Sequence, residues 1–369
     1  MPLDTGARTF KASPREYGSA AMTLTTGPIG GSAAWIGADM TTRSDWMVAL
    51  TPAELAEIDD AIAAHRRAGR AMGEITPETF RLPTLAGRLS KVLDDLLEGR
   101  GFVLMRGFDL AQRSVEDAAI AYLGIGSHLG GFRSQNARGH LLGHVKDLGL
   151  DIQNPKVRYY QTNKELEFHT DSCDVVGLLC LRAAKAGGGS RIVSSVTLHD
   201  RMLAETPELW RALFNPMPTD RRGEVPPGML PWFDIPVFNW HAGKLSTIYS
   251  GQYIRSAQMN YPEARRLSAT EHAALDRLDA LAAELSLEMD FRPGDMQFIH
   301  NHQILHSRTD FEDWPEPERR RHLLRLWLSP RTGRDLPPVY AQRYGDITPG
   351  NRGGIVVQDT ELRFTLEPT

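Results

Sequence analysis

Leu166-Glu-Phe-His-Thr-Asp-Ser-Cys-Asp-Val-Val-Gly-Leu-Leu-Cys-Leu181 sets a histidine and a carboxylate, His169 and Asp171, two positions apart just ahead of an apolar run. Side chains alternate along an extended segment, so both point to one side, and that side can hold a metal. The pair fills part of an Fe(II) coordination shell. One further histidine would complete the facial two-histidine, one-carboxylate arrangement that leaves positions open for a co-substrate and O2.

Candidates for that histidine lie in Gly294-Asp-Met-Gln-Phe-Ile-His-Asn-His-Gln-Ile-Leu-His-Ser-Arg308, which offers His300, His302 and His306. Arg292-Pro-Gly-Asp295 reads as a turn and 296–299 as a strand leading to the metal side, so all three can reach it and spacing does not choose. The two stretches lie far apart in the chain. The fold, not a local loop, must bring them together.

Outward from these stretches, the chain beyond about residue 140 reads as short apolar or alternating runs separated by Gly, Pro, Asn and Asp. They fall at 141–145, 157–161, 176–181, 192–196, 235–240, 244–249, 287–291, 296–299 and 323–328. Many short strands at this spacing predict a sandwich or jelly-roll barrel. Helical insertions interrupt it at about 201–214 and from the capping box Ser268-Ala-Thr-Glu271 through Leu285.

The first third is helical. The capping box Thr51-Pro-Ala-Glu54 opens one helix (Leu55, Ile58, Ile62, His65), and a second runs from about Thr84 to Gly99. A strand at 102–105 follows, then a third helix from Ser114 through Tyr122, which Gly124, Gly126, Gly130 and Gly131 are expected to break into a loop. The expected fold class is therefore mixed α+β, a jelly-roll core with an N-terminal helical layer and helical insertions. Residues 1–45 are expected to form a partly ordered arm and 46–369 a single domain, with the core at about 100–330 and a C-terminal segment at 331–369.

At 369 residues and 41% hydrophobic content the chain can bury one large core or two smaller ones. A formal net charge of -4, with basic residues dispersed, gives no footprint for nucleic acid and points to a small-molecule partner. Cys173 and Cys180 are the only cysteines, too few for a disulfide framework and wrongly spaced for zinc, so reduced buried thiols in a cytoplasmic protein are expected. Residues 1–35 hold no apolar run long enough for a signal peptide or a membrane span. There is no internal repeat.

Phe168-His-Thr-Asp171, Gly187-Gly-Gly-Ser190, Asn301-His-Gln-Ile-Leu-His306 and Arg321-His-Leu-Leu-Arg-Leu-Trp327 resemble the Fe(II)- and 2-oxoglutarate-dependent dioxygenases of the taurine dioxygenase / TfdA family. The resemblance spans roughly 82–330 and implies a double-stranded β-helix. It implies iron ligands His169, Asp171 and His306, leaving His300 and His302 as neighbours. It gives Arg321 the distal carboxylate of 2-oxoglutarate and makes Arg325 correspond to a substrate-gripping arginine, free here to brace the co-substrate instead. An arginine fork suits a carboxylate in either role. Ser190 stands where the family has a threonine on that carboxylate. The implied reaction consumes O2 and 2-oxoglutarate, yields succinate and CO2, and oxidises a substrate C–H bond. Because Asp171 is kept, hydroxylation or another oxygen-dependent oxidation is implied over halogenation. Homo-oligomers are common in the family.

Around the mouth of the site, loops bearing Phe132, Gln135, Asn136, Asn163 and Trp232 are expected to line the substrate pocket. Gly187 to Gly189 lacks the Lys-Ser/Thr pair of a phosphate loop and reads as a turn. His140 and His144 are read on a strand or its edge, not as a second metal pair. Two rival functions remain at this stage. A zinc hydrolase could use the same His/Asp/His set with a metal-bound water, but it gives Arg321 no role. A ligand-binding barrel without catalysis would need neither.

Overall fold

The computed structural model describes residues 27–152 and 157–368, so the first 26 residues of the expected arm lie outside the described residues. The apolar run after Asp171 becomes the strand Val175–Arg182 in a seven-stranded sheet. Its order is Met47–Ala49, Phe102–Arg106, Met296–His300, Val175–Arg182, His322–Ser329, and the last strand also pairs with Gly131–Phe132 and Leu142–Val145. Only Met47–Ala49 runs parallel to its neighbour. A smaller sheet runs Leu287–Met289, Ser190–Ser194, Ile304–Arg308, Leu166–His169. Among the described residues the sheets stay open and separate, so the fold is mixed α+β.

Alternation along the strands sorts the core into layers. Leu324, Leu326 and Leu328 turn outward and pack with Ile58, Leu89 and Ile120 from the helices Pro52–Arg67, Leu85–Glu98 and Val115–Ser127. On the other side, Val193 and Leu305 of the small sheet turn outward to Leu198, Leu275 and Leu278 of the helices Ser195–Glu205 and Ala269–Leu285. Between the sheets, Trp327 and Ile299 meet Ile192 and Ile304. The residues that alternate with the outward leucines, Arg325 and His306 among them, therefore face the space between the sheets.

Both capping boxes form as the sequence predicts, with Thr51 Oγ1 accepting from the Glu54 N–H and Ser268 Oγ from that of Glu271. Two local expectations are corrected. The third helix does not stop at Tyr122 but continues to Ser127, with Gly124 and Gly126 inside it. They are sites of close approach: a Cβ on Gly124 would collide with the Phe80 ring, and one on Gly126 would lie 2.7 Å from Leu326 Cδ1. Residues 157–161 are not a strand. A 3-10 turn, Tyr159–Gln161, closes there because Gln161 Oε1 accepts from the Arg158 N–H and Thr162 Oγ1 donates to the Tyr159 carbonyl.

The C-terminal segment folds back on this body. His144 and His322 lie on neighbouring strands, their nearest ring nitrogens 2.8 Å apart. Arg182 can only donate, to His322 Nδ1 (3.1 Å), and the Thr365 carbonyl can only accept, from His144 Nε2 (2.9 Å). The proton order of the relay is thereby set, and both imidazoles are neutral. Burial, then the neighbouring His144, pulls His322 down to about 3, and burial lowers His144 as well. In the unfolded chain both return to roughly 6.5, so the unfolded state binds more protons between those values. The relay's contribution is whole above about pH 6.5 and is lost as pH falls towards the folded value. The unfolding free energy is expected to fall more steeply from about pH 7 to 5 in wild type than in His322→Gln, by up to ~1.4 kcal/mol per pH unit for the one histidine removed. Parallel melting profiles for the two proteins would refute this account.

Candidate metal centre

His169 ends one strand of the small sheet and His306 sits directly opposite it on the next, so the two rings share a face, with centroids 4.2 Å apart. Asp171 follows in the chain. Thr170 between them points the other way, where its Oγ1 accepts from the Tyr249 N–H (2.9 Å) while its own N–H donates to the Tyr249 carbonyl (2.8 Å). His169, Asp171 and His306 each offer a ligand atom, all within 4.8 Å of one another, and form the one such group found among the described residues. His169 Nε2 lies 3.8 Å from Asp171 Oδ1 and His306 Nε2 lies 3.7 Å from Asp171 Oδ2.

The surroundings prepare all three as donors. His169 Nδ1 is 2.9 Å from the Glu167 carbonyl, which can only accept, so the proton sits on Nδ1 and the Nε2 lone pair is free. Burial, then His169, pulls His306 down to about 3, and burial likewise lowers His169. Both are neutral at physiological pH. Burial opposes ionising Asp171, yet Arg325, His306, His169 and the Trp327 indole N–H, 2.8 Å from Oδ2, together hold its carboxyl below the usual range. Two neutral imidazoles and one ionised carboxylate suit Fe(II). Asn301 fixes the loop: its Oδ1 accepts from the Asp171 N–H (2.7 Å), and its Nδ2 donates to the Asp171 and Cys173 carbonyls (2.6 and 2.8 Å).

His300 and His302 are fully buried elsewhere. His302 Nε2 is 2.7 Å from Asp174 Oδ1, and burial and the Arg334 charge push His300 well below its ordinary value. Arg325 reaches the centre, its Nη1 3.4 Å from Asp171 Oδ2 and its Nε 2.7 Å from Gln135 Oε1. Gln135 in turn donates to the carbonyls of Leu141 and Arg325. Arg321 lies further along the inner face, buried, its guanidinium 5.2 Å from the Phe311 ring and its Nη1 without a hydrogen-bond partner among the described residues. Burial lowers Arg321 to about 10. An orphaned buried guanidinium N–H fits a carboxylate ligand, although Arg321 does not line the cavity that opens from the metal centre.

A cavity of about 400 Å³ opens from the metal centre. Gln135 and Asn136 line it. The structure places the other sequence-expected pocket residues apart from it: Phe132 packs edge-on against Phe364, Trp232 stacks on Tyr261, and Asn163 accepts the Phe311 N–H through its backbone. Ser190 is buried on the small sheet, opposite Arg308. Trp327, Asn301, Arg308 and Arg343 carried no role in the sequence reading. Trp327 had a legible signal, since it continues the two-residue period of Leu323 and Arg325.

The profile of the taurine catabolism dioxygenase TauD, TfdA family matches residues 65–327. The chain belongs to this family. Its members are Fe(II)/2-oxoglutarate-dependent oxygenases, and the cofactors of this TauD-family enzyme are Fe(II) and 2-oxoglutarate. The chain is 30% identical over 323 residues to FR-33289 synthase of Streptomyces rubellomurinus, covering 84% of this chain and 93% of that protein. It is also 30% identical over 314 residues to the taurine hydroxylase-like protein SAT17 of Stachybotrys chartarum, covering 81% and 79% respectively. Among solved structures, asparagine oxygenase superposes with a TM-score of 0.61 over 86% of this chain and 100% of its own, at 16% identity. The non-heme iron oxygenase OrfP, solved with Fe and alpha-ketoglutaric acid, gives 0.60 over 76% and 93%, at 18% identity. These two share the fold. No helix among the described residues is long and apolar enough to cross a membrane.

Proposed function

We propose that this TauD-family enzyme hydroxylates a C–H bond of a small anionic or amphoteric molecule, with iron held by His169, Asp171 and His306. 2-Oxoglutarate would be anchored at its far carboxylate by Arg321 with Ser190. The observation that carries the reading is the set of three prepared donors in a fold that also holds an orphaned, buried Arg321 N–H. A zinc hydrolase would need the first and have no use for the second. Strand order supports a double-stranded β-helix: the chain passes from the large sheet to the small and back at 142–145, 166–169, 175–182 and 190–194, and again at 287–289, 296–300, 304–308 and 322–329.

When bound, iron with 2-oxoglutarate and O2 supplies the oxidising power that no side chain here has. The chain's own residues orient and shield. Trp327 and Arg325 hold the Asp171 carboxylate by Oδ2, which fixes its orientation while Oδ1 takes neither donor. Arg325 lies between the rings of Tyr160 and Trp327, at 4.8 and 5.1 Å, which restricts it to one orientation. Away from the metal, the cavity is lined by Arg158, Arg343, Tyr253 and Glu224. Arg158 pairs with Glu224 at 3.1 Å, while Arg343 donates to Ser172 Oγ, so the wall offers more guanidinium than carboxylate. That balance favours a substrate with an anionic group, and Glu224 can meet an ammonium.

Anaerobic titration of the metal-free protein with Fe(II) and 2-oxoglutarate is expected to give the visible charge-transfer band of the chelated complex. Succinate release in air should then rise when small carboxylate- or amine-bearing molecules are screened. Absence of the band, together with oxygen-independent turnover on Zn(II), would overturn the assignment. A band without stimulation by any charged candidate would overturn the substrate class alone.

A further inference from the structure

Arg308 lies two residues past His306 on the same strand and so shares its inner face. Its register partner is Ser190, while that of His306 is Ile192. From the metal end outward, the inner face of the small sheet therefore carries His306 and then Arg308 with Ser190. Arg321 approaches from the large sheet, and both guanidinium groups rest against the Phe311 ring, Arg308 at 4.8 Å and Arg321 at 5.2 Å. Gly188 makes room for this, because a Cβ there would lie 3.1 Å from Arg321 Nε.

Arg308 is held on its other edges: Nη2 donates to the Lys164 carbonyl and Nε to that of Thr309. Its Nη1 is buried with no partner among the described residues, as is that of Arg321. Neither guanidinium forms an ion pair with a carboxylate there. Asp313, beside Arg321, spends Oδ1 on the Arg321 backbone N–H. Two buried cations against one ring, each with an N–H unspent, are costly unless an anion meets them.

We propose that Arg308 and Arg321 form a two-guanidinium clamp for the distal carboxylate of 2-oxoglutarate, with the Ser190 hydroxyl beside it. The inference rests on the co-substrate reading above and adds to it a specificity residue that neither spacing nor resemblance supplied. The clamp selects five-carbon dicarboxylate 2-oxo acids. A 2-oxo acid without the second carboxylate would leave both N–H groups unpaired, which discriminates more strongly than any loss of apolar contact.

The test measures binding, under anaerobic conditions and on Fe(II)-loaded protein, of 2-oxoglutarate and of 2-oxopentanoate, which has the same carbon chain without the far carboxylate. Arg308→Met is expected to weaken 2-oxoglutarate about 10- to 100-fold, the size of a lost charge-assisted hydrogen bond, and to leave 2-oxopentanoate unchanged. Arg308→Lys keeps the charge and loses the fork, and should fall between. It also serves if the methionine variant does not fold. Equal weakening of both ligands would make Arg308 merely structural and overturn the clamp. Loss of discrimination in Arg321→Met but not in either Arg308 variant would also overturn it, while leaving the co-substrate reading intact. Discrimination preserved in all the variants would sink that reading together with the clamp.

Discussion

His306→Ala is expected to lose tight Fe(II) binding and, with it, 2-oxoglutarate turnover, by about three orders of magnitude or more, because the metal centre contributes several kcal/mol to such chemistry. The fold should survive. His306 Nδ1 has no partner among the described residues, and its ring lies against that of His169 with both imidazoles uncharged, so the substitution breaks no hydrogen bond that the described residues form. Asp171→Ala should lose the metal equally but also cost stability, since Arg325 and the Trp327 indole would lose their shared acceptor. Anaerobic Fe(II) titration read by the charge-transfer band, with thermal melting alongside, separates the two effects. Retention of iron by His306→Ala, with its loss from His300→Ala or His302→Ala, would show that His306 is not the third ligand.

The choice among those three histidines shows where sequence reasoning reaches. His169 and Asp171 were legible because their relation is local, two positions apart in one short stretch, and both capping boxes were legible for the same reason. His300, His302 and His306 could not be ranked by spacing, because what separates them is which wall of the fold each faces. His302 is claimed by Asp174 and His300 by the surroundings of Arg334, contacts reached only when distant segments meet. The helix through Gly124 was missed for a similar reason: glycine weakens a helix locally, and only the Phe80 ring packed against it explains its presence. Arg343 and Arg352 belong to a segment without apolar periodicity. Their placement is decided by buried partners near residue 174 and not by their own neighbours in sequence.

Those partners make Asp174 the most consequential residue outside the ligand set. Its carboxylate is 1% exposed; Oδ1 accepts from His302 Nε2 and Arg352 Nε, both at 2.7 Å, and Oδ2 from Ser329 Oγ at 3.0 Å. Burial opposes its ionisation, but His302 and Arg352 hold the carboxyl below the usual range. Asp174→Ala would leave the Arg352 guanidinium buried without the only carboxylate it pairs with among the described residues, at a cost of about 3–5 kcal/mol and a melting point lower by roughly 5–15 °C. Asp174→Asn should be milder, since an amide oxygen can still accept from both donors and the Ser329 hydroxyl can turn to accept. The damage should also reach the metal. The Gly354 N–H donates to the Ser172 carbonyl, Tyr344 Oη to that of Cys173, and Arg343 to Ser172 Oγ, so the C-terminal segment braces the loop that carries Asp171. When Arg352 lets go, that brace loosens, and Fe(II) affinity is expected to fall about 10- to 100-fold in whatever fraction stays folded, the size seen when groups supporting a ligand are lost. Limited proteolysis should cut first within residues 331–369. A melting point within about 2 °C of wild type, with iron affinity unchanged, would show that the segment is held by its apolar contacts through Leu336, Tyr340 and Tyr344 and that the buried ion pair is dispensable.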